Sequence, residues 1–227
     1  DETAMARKVI TEKDIEETLA KGKKRIEVSR DTIITPLAAE RASARGVEIA
    51  FLQKENPMDP IAQQPAAQHP TQIQHVAGQL IAFGSDHGGY QLKEVLKAFT
   101  ESLGYKVMDV GTHTEDPCDY PDYAYAVARA VSMGEAWRGV MIDGAGIGSC
   151  IVANKVPGIK AACCHNEFVA RNAREHNDTN VLTLGSRVTG TEVCKEILKI
   201  WLETWFAGGR HKQRVEKIDL IERRFLK

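Results

Sequence analysis

Asp143 ends the apolar run GVMI at residues 139–142 and opens a turn in which Gly144, Gly146 and Gly148 alternate with Ala145 and Ile147. Three glycines between a strand and an apolar helix let successive backbone N–H groups converge on an anion. A carboxylate at that junction has two chemical uses: it carries a proton, or it orders the loop. His176 and Asn177 precede the segment NVLTLG, and Arg187 follows it. Arg210, His211 and Arg214 gather beside Gly208 and Gly209. Arginine forks hold phosphate through paired N–H groups, so these arginines with the glycine turn point to a phosphorylated small molecule. Each feature also has a plainer reading. The glycines serve close strand–helix packing, the basic cluster is a solvated face or a helix-end charge, and His176 is structural.

Strands and helices must position these groups. From residue 80 onward the strands QLIAFGSD, YKVMDVG, RGVMIDG, IKAACCH and NVLTLG alternate with the helices YQLKEVLKAFTESLG, YPDYAYAVARAVSMG, EFVARNAREH and GTEVCKEILKIWLETWFAG. A short apolar helix also follows the glycine turn. Such alternation predicts an α/β fold with a parallel sheet covered by helices on both faces. Ligands in such sheets bind beyond the carboxyl ends of strands, where strand order reverses. Asp86 and His87, the turn 143–148, and His165 all fall just after strands. A dinucleotide site is disfavoured, because the first of these strands runs into GSDHGGY and not G-x-G-x-x-G.

Residues 54–79 interrupt the pattern with Pro57, Pro60, Pro65 and Pro70 among Gln and Ala, the composition of a linker. Ahead of it, residues 1–53 read as a small α/β module. Thr11 is the N-cap of a helix that stops near Gly22, RIEV is a strand, Pro36 opens a second helix, and residues 47–51 form a last strand. The module has no His, Cys or glycine-rich loop, which favours interaction or targeting over catalysis. The domains are therefore expected at 1–53, 54–79 and 80–227.

Composition narrows the partners. A chain of 227 residues with 43% hydrophobic content has ample material for a core, and its net charge of −1 lacks the basic footprint of a nucleic-acid binder. No apolar run approaches the roughly 20 residues of a membrane helix. Cys118, Cys150, Cys163, Cys164 and Cys194 are odd in number and lack C-x-x-C spacing, which argues against a disulfide framework or zinc site and for a reducing cytoplasm. No secretory signal is evident, and the four residues before Met5 are set aside.

In order, IAFGSDHGGYQLKEVLKAFTESLGYKVMDVGT, DYPDYA, the glycine loop with ANK, HNDTNVLTLGSR and GGRHKQRV resemble the type B ribose-5-phosphate isomerase and galactose-6-phosphate isomerase family, from about Leu80 to the C-terminus. The resemblance implies a Rossmann-like three-layer sandwich and a homodimer with sites at the subunit interface. The implied reaction is cofactor-free, metal-free aldose–ketose interconversion of a sugar phosphate, most simply ribose 5-phosphate to ribulose 5-phosphate. It further implies that Asp86 and His87 bind sugar and phosphate, His176 assists ring opening, Asn177 holds a hydroxyl and Tyr120 lines the pocket. Arg187, Arg210 and Arg214 fall at phosphate-binding positions, some acting across the interface. The amides of residues 144–148 face the enediolate oxygen.

The resemblance breaks at the reacting centre. Many members carry a cysteine base in a C-G-T-G pattern where this chain has Asp143-Gly144-Ala145-Gly146, and others use a glutamate near the place of Ser149. Three readings follow: Asp143 is the base, Asp143 only orders the loop of a sugar-phosphate binder or partner-dependent subunit, or Cys150 or Cys118 substitutes. Ala145 also removes a loop hydroxyl, which leaves room for a different sugar phosphate such as galactose 6-phosphate. In the leader, TPLA…A…GVEI is similar to modules on enzymes of bacterial microcompartments. That likeness implies recruitment to such an assembly, with strengthened oligomerisation as the alternative.

Overall fold

The computed structural model describes residues 5–6, 8–29, 31–52 and 78–225. Almost all of the expected 54–79 linker lies outside the described residues. The leader runs β1 (Met5–Ala6), β2 (Val9–Ile10), α1 (Glu12–Ala20), β3 (Arg25–Val28), β4 (Ile33–Ile34), α2 (Pro36–Arg45) and β5 (Glu48–Phe51). The larger part runs β6 (Leu80–Ser85), α3 (Tyr90–Ser102), β7 (Lys106–Asp109), α4 (Tyr120–Ser132), β8 (Arg138–Asp143), α5 (Ile147–Ala153), β9 (Ala161–Cys163), α6 (Glu167–Asn177), β10 (Val181–Gly185) and α7 (Thr191–Glu203). A 3₁₀ turn (Gly209–His211) and α8 (Lys212–Phe225) complete it.

The main sheet is wholly parallel, in the order β1-β7-β6-β8-β10-β9. The chain leaves β6 for β7 on one side and returns to β8 on the other, so the switch point lies between the carboxyl ends of β6 and β8. Alternation along the strands supplies both faces. Ile81, Phe83, Val140, Ile142, Leu182 and Leu184 pack with α3, α6 and α7, while Ala82, Met108, Met141 and Val181 pack with α4. On that second face Ala124, Ala126, Ala128 and Ala130 are fully buried. The helix lies so close that a Cβ on Gly139 would come within 2.5 Å of Val127, and one on Gly84 within 2.7 Å. Small residues on both surfaces set this layer spacing.

The leader has its own small core of Ile10, Ile15, Val28, Ala38, Ala42 and Val47 around the pairs β2–β4 and β3–β5. At its first helix, Asp14 accepts from the Thr11 amide at 2.8 Å and hydroxyl at 2.9 Å, the reciprocal half of a capping box. Thr35 caps α2 through the Ala38 amide, and Gly46 ends that helix with a φ of 67°. The leader does not stand apart from the larger unit: β1 joins β7 as an edge strand, and Ile33 is buried in the α4-side core.

Several elements go beyond the sequence expectations, among them the short strands β1, β2 and β4 and helix α8. β1 is too short to leave a periodic signal. Helix α8 does leave one, since Val215, Ile218, Ile221 and Phe225 recur every three or four residues.

Candidate active site

Asp86 follows β6, and its amide donates to Ile142 O at 3.1 Å, which ties it to the neighbouring strand beside Asp143. A Cβ on Gly89 would strike Ile142 O at 2.3 Å, so glycine is what lets this turn lie against β8. Asp86 Oδ1 accepts the Gly89 amide at 2.9 Å. Burial pushes the Asp86 carboxyl above its ordinary value, and the Asp143 charge adds to this against the Gly89 and Gly88 amides and His87. His87 is held from the other side: its Nδ1 lies 3.2 Å from both the amide nitrogen and the carbonyl oxygen of Cys118.

Asp143 ends β8 and is 5% exposed. Its Oδ1 accepts the amides of Ala145, at 2.8 Å, and Gly146; its Oδ2 accepts the Ser149 amide, at 3.1 Å, and the Ser149 hydroxyl. A carboxylate has about four acceptor sites, and all are used. The loop curls this tightly because Gly146 takes a φ of 79°, with its α-hydrogen facing the Cys163 sulfur and the backbone at 184–185. The anion at the heart of the glycine turn is therefore the chain's own side chain. Of the three readings of Asp143, this geometry favours loop ordering, since four donors already sit on its two oxygens. Within the turn, only Gly144, Ile147 and Gly148 have amides without a hydrogen bond among the described residues.

Neither thiol alternative fares better. Burial pushes both Cys118 and Cys150 above the ordinary thiol value, and Cys150 Sγ is turned to Ala161 O at 3.4 Å.

Tyr120 and Arg187 complete this half of the site. The Tyr120 ring lies over Gly148, where a Cβ would come within 2.6 Å of it. The Arg187 amide donates to Gly144 O at 3.1 Å; its side chain is exposed and has no carboxylate partner among the described residues. Ser186 closes the ring, with its amide on Asp143 O and its hydroxyl on Gly88 O, both at 2.8 Å.

The remaining expected residues lie elsewhere. His176 and Asn177 end α6, and the following Asn180 carbonyl accepts the Gly139 amide at the start of β8. Asp143 is at the opposite end of that strand, about 13 Å from Gly139 along the sheet. Beside His176 the ring of His211 stacks with centroids 4.0 Å apart and planes 8° from parallel. Asn172 bonds His176 Nδ1 at 2.8 Å, and Arg210 and Arg214 are exposed and unpaired with any described carboxylate. Burial, then His176, Arg210 and Arg214, push His211 below the ordinary histidine value, against Glu175. One chain thus carries two half-sites: Asp86, His87, Tyr120, the 143–148 loop and Arg187 at the carboxyl edge, and His176, Asn177, Arg210 and Arg214 at the amino edge. His211 was visible in sequence only as part of the basic cluster; its stacking was not. His165 is exposed and outside both groups.

Among the described residues no cluster of three His, Cys, Asp or Glu side chains is arranged to hold a metal, and no helix is long and apolar enough to cross a membrane. The fold defines an open parallel α/β protein with its switch point between β6 and β8. The chain belongs to the ribose/galactose isomerase family, whose model matches residues 81–218. It is 49% identical over 144 residues to ribose-5-phosphate isomerase B of Escherichia coli, covering 63% of this chain and 97% of that protein. It is also 42% identical over 146 residues to D-erythrulose-4-phosphate isomerase of Pectobacterium atrosepticum, covering 63% and 94%. The solved structure of Clostridium thermocellum ribose-5-phosphate isomerase B is similar at 51% identity and a TM-score of 0.64, over 64% of this chain and 99% of that one.

Proposed function

We propose that this chain is an aldose–ketose isomerase that interconverts ribose 5-phosphate and ribulose 5-phosphate through an enediolate, acting as a homodimer. The observation that carries the reading is the carboxyl-edge half-site, on a chain that spans 97% of a ribose-5-phosphate isomerase B at 49% identity. His176 of the partner subunit opens the sugar ring, and Asn177 of the partner subunit holds a hydroxyl. Arg187, with Arg210 and Arg214 of the partner subunit, binds the phosphate. Asp86, His87 and Tyr120 contact the sugar. The free amides of Gly144 and Gly148 receive the enediolate oxygen, in a loop whose shape Asp143 maintains through Ala145, Gly146 and Ser149. The two half-sites stand too far apart to meet within one chain, which supports completion across a dimer interface.

The leader, in this reading, recruits the enzyme to a microcompartment in the cytoplasm, a role its TPLA…GVEI segment supports. Its docking on the larger unit through Ile33 leaves Leu37, Phe51 and Leu52 exposed for a protein partner.

The test is turnover by the purified full-length protein of ribose 5-phosphate, D-erythrulose 4-phosphate and galactose 6-phosphate. The expected result is the highest kcat/KM for ribose 5-phosphate. A specific observation favours one second reading: 42% identity to a D-erythrulose-4-phosphate isomerase. Preference for the four-carbon sugar by tenfold or more would replace the substrate and retain the chemistry.

A further inference from the structure

We propose that Asp86 is the base that carries the proton between C2 and C1 of the sugar phosphate, in place of the side chain at position 143. The inference rests on the isomerase reading above and assigns its central step.

An isomerase of this kind needs one group that takes a proton from carbon and returns it to the adjacent carbon. Asp143 stands at the end of the switch-point strand but is closed to that task, with four donors on its two oxygens. Protonating it would break the loop that it holds together. Asp86 is the next carboxylate, on the adjoining strand end, and its bonding differs. Oδ1 is fixed by the Gly89 amide, whereas Oδ2 receives no hydrogen bond among the described residues. Ser85 Oγ is the sole described side-chain atom both sealed from solvent and unpartnered, so the unpartnered Asp86 Oδ2 is not sealed from solvent. One oxygen anchored and one open is the arrangement of a positioned base. The backbone also aims it, through the Asp86 amide on Ile142 O and the glycine-tight turn behind it.

The surroundings suit the task. His87, Asp143 and Cys118 are the titratable groups that face this carboxyl. Burial, with Asp143 beside it and against the Gly89 and Gly88 amides and His87, raises this carboxyl above its ordinary value. Asp143 thus acts on the reaction twice without touching it, by shaping the loop and by charging the space beside Asp86.

The step balances within the substrate and this one group. In the open-chain aldose the C2–H bond breaks and its proton passes to Asp86 Oδ2. The electron pair left behind forms the C1=C2 bond, and the carbonyl π pair moves to O1 as the enediolate oxyanion. The O2 proton transfers to O1 as the C2=O bond forms, and C1 takes the proton back from Oδ2. The product is the ketose, with Asp86 again a carboxylate and no outside reductant or oxidant involved.

The experiment compares full-length wild type with Asp86→Asn, Asp86→Glu and Asp143→Asn. It follows ribose 5-phosphate turnover, exchange of the C1 and C2 hydrogens with deuterium from solvent, calorimetric ribose 5-phosphate binding, and thermal melting. Asp86→Asn is expected to lose at least a hundredfold in kcat and in exchange, with Kd within about threefold of wild type and an unchanged melt. Asp86→Glu should recover part of the rate and shift the acid limb of the pH–rate profile, which a merely structural role would not do. Asp143→Asn should melt lower but still exchange. The proposal is overturned if Asp86→Asn exchanges at near the wild-type rate, or if folded Asp143→Asn binds sugar and exchanges none. Wild type that turns over none of the three sugar phosphates would overturn the isomerase reading itself, and this assignment with it.

Discussion

Asp143 shows how one side chain can set the use of a whole loop. Its carboxylate draws the amides of Ala145, Gly146 and Ser149 onto itself, and the Ser149 hydroxyl completes the set. Asp143→Asn replaces an acceptor oxygen with an NH₂ that faces amide or hydroxyl donors, so a loss of about 1–3 kcal/mol in unfolding free energy is expected. Urea titration at pH 7 measures it; a change below a few tenths of a kcal/mol would mean that the loop does not depend on this charge. The position of Asp143 was legible in the sequence, because an acid between an apolar strand and three glycines is hard to miss. Its role was not, because that depends on the curl given by Gly146 and on which way Ser149 faces, neither of which has a sequence period. Asp86 was read as a sugar contact for the same reason: the freedom of one carboxylate oxygen is visible only in three dimensions.

At the scale of elements, the loop behind His87 is held by an ion pair buried between α3 and β7. Lys93 is fully buried and bonds both oxygens of Asp109 at 2.8 Å and Thr112 O at 2.7 Å, while Lys97 takes Asp109 Oδ2 at 2.5 Å. Burial raises the Asp109 carboxyl, but the Lys93 charge and the bonds from Lys93, Lys97 and the Gly111 amide outweigh it and hold the group below its ordinary value. A depressed carboxyl contributes stability that is complete above its unfolded value of about 3.9 and is lost as pH falls through the folded value. Lys93→Met leaves Asp109 buried with one fewer cation, and a cost of about 3–5 kcal/mol is expected at pH 7. That cost should narrow as pH falls below about 4 and on toward the depressed folded value, because protonating Asp109 removes the charge that Lys93 neutralises. Equal costs at pH 7 and pH 3.5 would place the defect in packing instead. The alternation of strands and helices that built this scaffold was plain from residue 80 onward. Helix α8 was passed over because its apolar face is interrupted by Lys, Glu and Arg, although Val215 and Ile218 keep the spacing.

At the scale of the whole molecule, the two half-sites make a prediction about mixtures. In the proposed homodimer, Asp86→Asn and His176→Ala should each disable every site. In a mixed dimer one site combines both defects and the other has neither. Denatured together in equal amounts and refolded, the two inactive proteins should regain about a quarter of wild-type activity, as two-fold symmetry requires. Activity that stays at the level of either parent would confine catalysis to one chain. The resemblance implied sites at a subunit interface, with some arginines acting across it, but motif order says nothing about which end of a sheet each motif reaches.

The leader's first strand has a consequence for how such copies can meet. By pairing Met5 and Ala6 with Met108 and Asp109, the chain supplies its own neighbour to the outer strand of the sheet. An open strand edge invites another chain to extend it, and here that invitation is answered from within. A second copy meeting this chain would thereby be turned away from that stretch of strand and toward helices and loops, which keeps the sheet finite on that side.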